Sequence, residues 1–109
     1  MAIESHDILT GNTDLFTSIG NNAVTTIMFC NTAVYDPLDP TAGLVLLDLH
    51  FVKDTFGVTT TNLVVNQLPI PAGETFTFDT EKIILGDGDR VVASASPENL
   101  VATISTLEV

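Results

Sequence analysis

The 109-residue sequence predicts an all-β protein: a single antiparallel β-sandwich, jelly-roll or Ig-like, of about seven to eight strands. Three observations carry this expectation. Apolar and polar residues alternate with period 2 in several short segments, most clearly in Thr75-Phe76-Thr77-Phe78, where two rings share one face of a pleated strand. Turn signals made of Gly, Pro, Asn and Asp recur about every 8 to 12 residues. No window of about a dozen residues carries apolar side chains at i, i+3, i+4 and i+7 without a Gly or Pro, and Thr and Val abound, so helix is disfavoured. A chain of this length is expected to form one domain, residues 1–109, around one core.

Residues 1–13 hold the pair Ile8-Leu9 followed by Thr10-Gly11-Asn12, and are expected as an N-terminal arm that orders against a neighbour. A first strand follows at 14–19, ended by Gly20-Asn21-Asn22. Residues 23–31, AVTTIMFCN, are β-branched and aromatic with two largely apolar faces, as in a central strand covered on both sides. Residues 35–43 contain two Asp-Pro pairs and form a loop, because the residue before proline avoids the helical region and proline donates no N–H. In 44–52, Val45, Leu47, Leu49 and Phe51 form an apolar core face, while Leu44, Leu46, Asp48, His50 and Val52 form a mixed face suited to solvent or a subunit contact. A connection at 53–61 leads to a strand at 62–68.

Pro69, Pro71 and Gly73 then force a turn into the Thr75–Phe78 strand, whose Phe76 and Phe78 join Phe51 as expected core residues. The DTEK stretch, 79–82, leads into Ile83-Ile84-Leu85. Gly86-Asp87-Gly88-Asp89 reads as a hairpin turn into the strand 90–96. Ser96-Pro97-Glu98-Asn99 turns the chain into a last strand at 100–107.

Composition excludes several functions. Fourteen Asp and Glu against three Lys and Arg give a formal net charge of −11, and Lys53, Lys82 and Arg90 are scattered. Nucleic acid and anionic membrane surfaces both need clustered cations, so neither is an expected partner. The apolar run 44–52 is interrupted by Asp48 and His50 and is far shorter than the roughly 20 residues of a membrane span, and the start MAIESHDILTG is too polar and acidic for a secretory signal. One cysteine, Cys30, leaves no internal disulfide. Yet 45% of residues are hydrophobic, 16% are charged and the mean hydropathy is +0.39, so part of the surface is expected to be covered by another copy or a partner.

Candidate chemistry is sparse. Asp87 and Asp89 offer a carboxylate pair for Ca²⁺ in a glycine turn, but without the spacing of an EF-hand the turn-forming role is preferred. Asp36 and Asp39 form a second pair with no third group to complete a site. Cys30 with His6 or His50 would supply a thiol and a base, but no local nucleophile signature surrounds them, and a lone Cys at a strand end reads as a small core residue. His50 would couple an interface to pH. No catalytic group and no cofactor is expected. Without Trp and with one Tyr, stacking on sugars is poorly supplied.

From residue 68 onward the order of elements is Pro71–Thr75, Phe76–Phe78, Ile83–Leu85, Gly88–Arg90, Val91–Ala95 and a closing strand Val101–Glu108. This order resembles small β-sandwich proteins of tailed-phage virions, over the C-terminal 42 residues. The resemblance implies a non-enzymatic capsid decoration or cement protein located in the virion. It further implies assembly with copies of itself, a trimer favoured, and with a major capsid or tail protein. The alternatives are a neck, tail or baseplate accessory protein and, more distantly, a carbohydrate-binding sandwich. The expected interface is the mixed face bearing Leu44, Leu46, His50 and Val52.

Overall fold

Each segment with period-2 alternation is a strand. The computed structural model describes residues 2–78, 83–97 and 99–109, and nine strands lie among them. These are β1 (Ala2–Ile8), β2 (Thr13–Thr17), β3 (Asn22–Asn31), β4 (Val45–Val52), β5 (Leu63–Ile70), β6 (Thr75–Phe78), β7 (Ile83–Leu85), β8 (Arg90–Ser96) and β9 (Leu100–Glu108). A 3-10 turn at Thr60–Asn62 precedes β5. The DTEK connection, 79–82, and Glu98 of the last turn lie outside the described residues.

The strands form two antiparallel sheets. The first has the order β1-β9-β3-β6, with β7 also on β3; the second has the order β2-β8-β4-β5. Both β6 and β7 run antiparallel to β3 on the edge away from β9, β6 beside Ile27–Cys30 and β7 beside Asn22–Val24. They fill one strand position between them, so nine strands occupy eight positions. The chain passes from one sheet to the other between β1 and β2, β2 and β3, β3 and β4, β5 and β6, β7 and β8, and β8 and β9; β4 and β5 are a hairpin. That alternation is the jelly-roll arrangement of two four-position sheets.

Three local expectations change once pairing is known. The strand number is nine because β1 is a strand of this chain and β7 is separate from β6. Ala2–Ile8, expected as an arm, pairs with β9 in unbroken register from Ala2↔Thr106 to Ile8↔Leu100, and Ile8 is buried. The Gly86–Asp89 turn is not a hairpin: β7 pairs with β3, whereas β8 pairs with β2 and β4, so the turn bridges the two sheets. Ser18 at the end of β2 anchors it, donating its N–H to Asp89 O and accepting from Gly88 N, both at 2.8 Å. Turn residues encode a reversal of the chain but not the sheet it enters.

The inward faces meet in one core. Ile27 and Phe29 of β3, Val45, Leu47 and Leu49 of β4, and Ala102 and Ile104 of β9 are all fully buried. Phe29 stacks on Phe76 with ring centroids 6.3 Å apart, and Phe51 tilts against Phe78 at 5.9 Å. Phe51, Phe76 and Phe78 are partly buried and pack on the margin of this core, while Phe29 occupies its interior.

Candidate interaction surface

Alternation fixes what the first sheet shows on its outer side. Along β9 the residues Leu100, Ala102, Ile104 and Thr106 point inward and are buried, so Val101, Thr103, Ser105 and Leu107 point outward. Register then lines up rows across the sheet. Ile84, Ala23 and Leu107 form an apolar row over β7, β3 and β9. Next come Thr26, Ser105 and Ile3, followed by Thr77, Met28, Thr103 and Ser5. The last row holds Thr75, Cys30, Val101 and Asp7. Among the described residues of these strands, Asp7, at one corner on the edge strand, is the only charge on this face.

The large apolar members Ile3, Ile84, Leu107 and Met28 are open to solvent, at 68%, 63%, 43% and 42%, whereas Ala23 is buried between its row neighbours Ile84 and Leu107. Between them lie short hydroxyl side chains, two of which, Ser5 and Thr103, approach at 3.4 Å. Cys30 is exposed here, which corrects its assignment to the core, because β3 is covered on one side alone. Small side chains on a nearly charge-free sheet make a broad surface able to lie against another sheet or a flat protein face.

The second sheet is different on its outer side. Asp48 accepts the Gln67 N–H at 2.7 Å, where β5 bulges opposite β4 and Gln67 has a φ of 48°. His50 donates from Nδ1 to the Asn62 side-chain oxygen at 2.8 Å, and Val52 and Val92 beside it are buried. The 53–62 connection is tied back over this face: Arg90 Nη2 donates to Phe56 O at 2.7 Å, and Asp54 N donates to Asp89 Oδ1 at 2.9 Å. His50 and Val52, expected at an intermolecular contact, are therefore covered by the chain itself, and Leu44 and Leu46 are half-buried. The mixed pattern of β4 reflects an intramolecular cover.

The candidate chemical residues have structural partners. Asp89 accepts the Gly86 N–H with Oδ2 at 2.8 Å, and Asp87 accepts the Gly20 N–H at 2.9 Å, so both carboxylates hold the inter-sheet turn. Asp36 accepts the Leu38 N–H and Asp39 the Thr41 hydroxyl, each at 2.9 Å, shaping their own loop. His6 is on the inward side of β1, Cys30 on the outer side of the first sheet and His50 on the outer side of the second, so no thiol–imidazole pair is assembled. Among the described residues no three His, Cys, Asp or Glu side chains converge as metal ligands.

A second apolar exposure lies at one end of the sandwich. In the 33–42 loop Val34 and Leu38 are almost fully exposed and Tyr35 more than half. The loop is anchored by Asn31, a buried residue that donates through Nδ2 to Gly43 O at 2.7 Å and Ile70 O at 2.8 Å and accepts the Ala33 N–H at 2.9 Å. Gly43 has a φ of 77°, and a Cβ there would sit 2.8 Å from that of Ala33, so the chain leaves the loop through a position only glycine fits.

Ile3, Met28, Ile84, Thr103 and Leu107 were not singled out by the sequence reading. For Met28 the signal is present in the two apolar faces of 23–31, but that pattern also fits a doubly covered strand until the pairing is known; Ile3 and Ile84 lie in short segments whose outer face is defined only by their pairing with β9 and β3. No family model matches this chain, and neither the curated proteins nor the solved structures provide a match.

Proposed function

We propose that this chain is a non-enzymatic structural protein that works by assembling, most concretely a capsid decoration or cement protein of a tailed-phage virion. The observation that carries the reading is the pair of separate apolar exposures: the outer face of the first sheet, whose described strand residues carry one charge, and the protruding Val34, Tyr35 and Leu38 of the 33–42 loop. A decoration protein needs two such surfaces, one for its own kind and one for the shell. Large exposed apolar side chains grouped together mark protein contact sites. The jelly-roll topology gives support by analogy, since viral capsid and lectin domains use it, and the order of elements after residue 68 supplies the phage context. Binding only the assembled shell stabilises it by mass action.

The test is a mass-spectrometric inventory of purified particles, followed by heating of particles with and without the protein. The protein is expected in the head fraction, with decorated heads surviving to higher temperature. Recovery with tails or necks would assign it to the accessory class instead, and absence from particles would end the virion reading. A sugar-binding role has one observation in its favour, an open cleft of about 420 Å³ between Phe51 and the exposed Phe56, with Lys53, Thr61 and Asn62 on its walls. A glycan array checks it: binding lost in Phe56→Ala would favour that role.

A further inference from the structure

We infer that the outer face of the first sheet is where two copies of this chain pack, sheet against sheet, about a two-fold axis. The inference rests on the assembly reading and names the surface and symmetry of its self-association. Area is the first argument. Four strand positions about 4.8 Å apart and roughly 30 Å of β9 make a face of about 600 Å², so a pair would bury about 1,200 Å², the lower bound for a stable specific interface.

Charge is the second argument. Each copy carries a net charge of −11, and the outer side of the second sheet displays Asp14 beside Arg90 as well as Asp48. Copies approaching through that side would set carboxylates against each other. Among the described residues of its strands, the first sheet's outer face carries only Asp7, at a corner, so these rows can meet in two copies without desolvating paired or opposed charges. A basic partner fits these rows poorly, because its Lys and Arg would be buried over Thr, Ala and Leu with Asp7 as the one carboxylate among the described residues of these strands. A second copy presents the same uncharged rows and is self-complementary. One face used by both copies closes as a pair, whereas a three-fold ring needs two different surfaces on each copy. The trimer implied by the phage resemblance is therefore replaced by a dimer at this face.

Light scattering over a concentration series of the full chain should give twice the monomer mass. Thr103→Glu, in the middle of the face, is expected to raise the dissociation constant on the order of a hundredfold, since it sets like charges together in an uncharged contact. Asn66→Glu, exposed on the second sheet, adds the same charge and should leave the dimer unchanged. Met28→Glu reads the same face where Thr103→Glu fails to fold. Alkylation of Cys30 needs no substitution, and its rate should fall as the wild-type chain passes from monomer to dimer. A wild-type monomer at the highest concentration, a trimer, or a dimer indifferent to both glutamates with Cys30 equally reactive throughout would overturn the inference. Presence of the protein in purified particles is a separate measurement, so a monomer found on phage heads removes the two-fold pairing and leaves the virion reading standing.

Discussion

Asn31 shows how one side chain positions a surface. It is buried at the end of β3, and all its side-chain bonds go to the backbone of the 33–44 and 70–74 segments that frame the exposed loop. Asn31→Ala leaves two carbonyls and one N–H without these partners, and chemical denaturation is expected to show a loss of about 3 kcal/mol. A loss under about 1 kcal/mol would mean that water replaces the amide. Phe29 makes the complementary point about packing. It is fully buried, so Phe29→Ala should cost about 3–5 kcal/mol, whereas Phe76→Ala and Phe78→Ala, on partly buried rings, should each cost about half as much. Equal losses at the three positions would contradict this ordering of burial. The aromatic alternation of Thr75–Phe78 identified which face of β6 turns inward; it did not reveal that β6 lies at the sheet edge, where a ring is covered on fewer sides.

Among the elements, the bridging turn between β7 and β8 and the bulge in β5 are both held by carboxylates. Asp89 accepts from Gly86 N and Asp54 N and so joins the turn to the 53–62 connection. Asp89→Ala is expected to lower stability by about 1–2 kcal/mol. If the carboxylates serve the backbone as the bonds indicate, the melting temperature of the wild-type chain will not rise when Ca²⁺ is added; a rise abolished by Asp89→Ala would restore the cation reading. At the bulge, Gln67 holds a φ of 48°, which costs a side-chain-bearing residue about 1 kcal/mol. Gln67→Gly should therefore be neutral or stabilising by up to about 1 kcal/mol in a thermal melt, while a marked destabilisation would show that the Gln67 side chain does more than tolerate the bend.

For the whole molecule, the sign of the salt effect discriminates between partners. Two copies of net charge −11 repel, and added salt screens that repulsion, so self-association through the uncharged face should strengthen as ionic strength rises. Binding to a basic surface would weaken instead. Sedimentation at low and at high salt measures the difference directly. The exposed loop provides an independent handle on the proposed shell contact. Leu38, 93% exposed, packs on almost nothing in its own chain, so Leu38→Asp is expected to leave the melting temperature within about 0.5 kcal/mol equivalent of wild type while reducing recovery on particles. Unchanged recovery would exclude this end of the sandwich as the shell contact.

The sequence by itself determined the all-β class, the position of nearly every strand to within a residue or two, and the turns between them. These are local properties: period 2 follows from the pleat, and Gly, Pro, Asn and Asp act on φ at their own positions. Only the tertiary structure decided which sheet each strand enters, and with it which outer face stays open. Strands 23–31 and 44–52 each have a second face that departs from plain alternation with polar residues. In one, Met28 and Cys30 face solvent; in the other, His50 and Val52 lie under the 53–62 connection. The difference is made by long-range bonds from Asn62 to His50 and from Arg90 to Phe56, between residues 12 and 34 positions apart. No local pattern in β4 encodes its cover, because the covering residues belong to a different segment and reach it only after both sheets have formed.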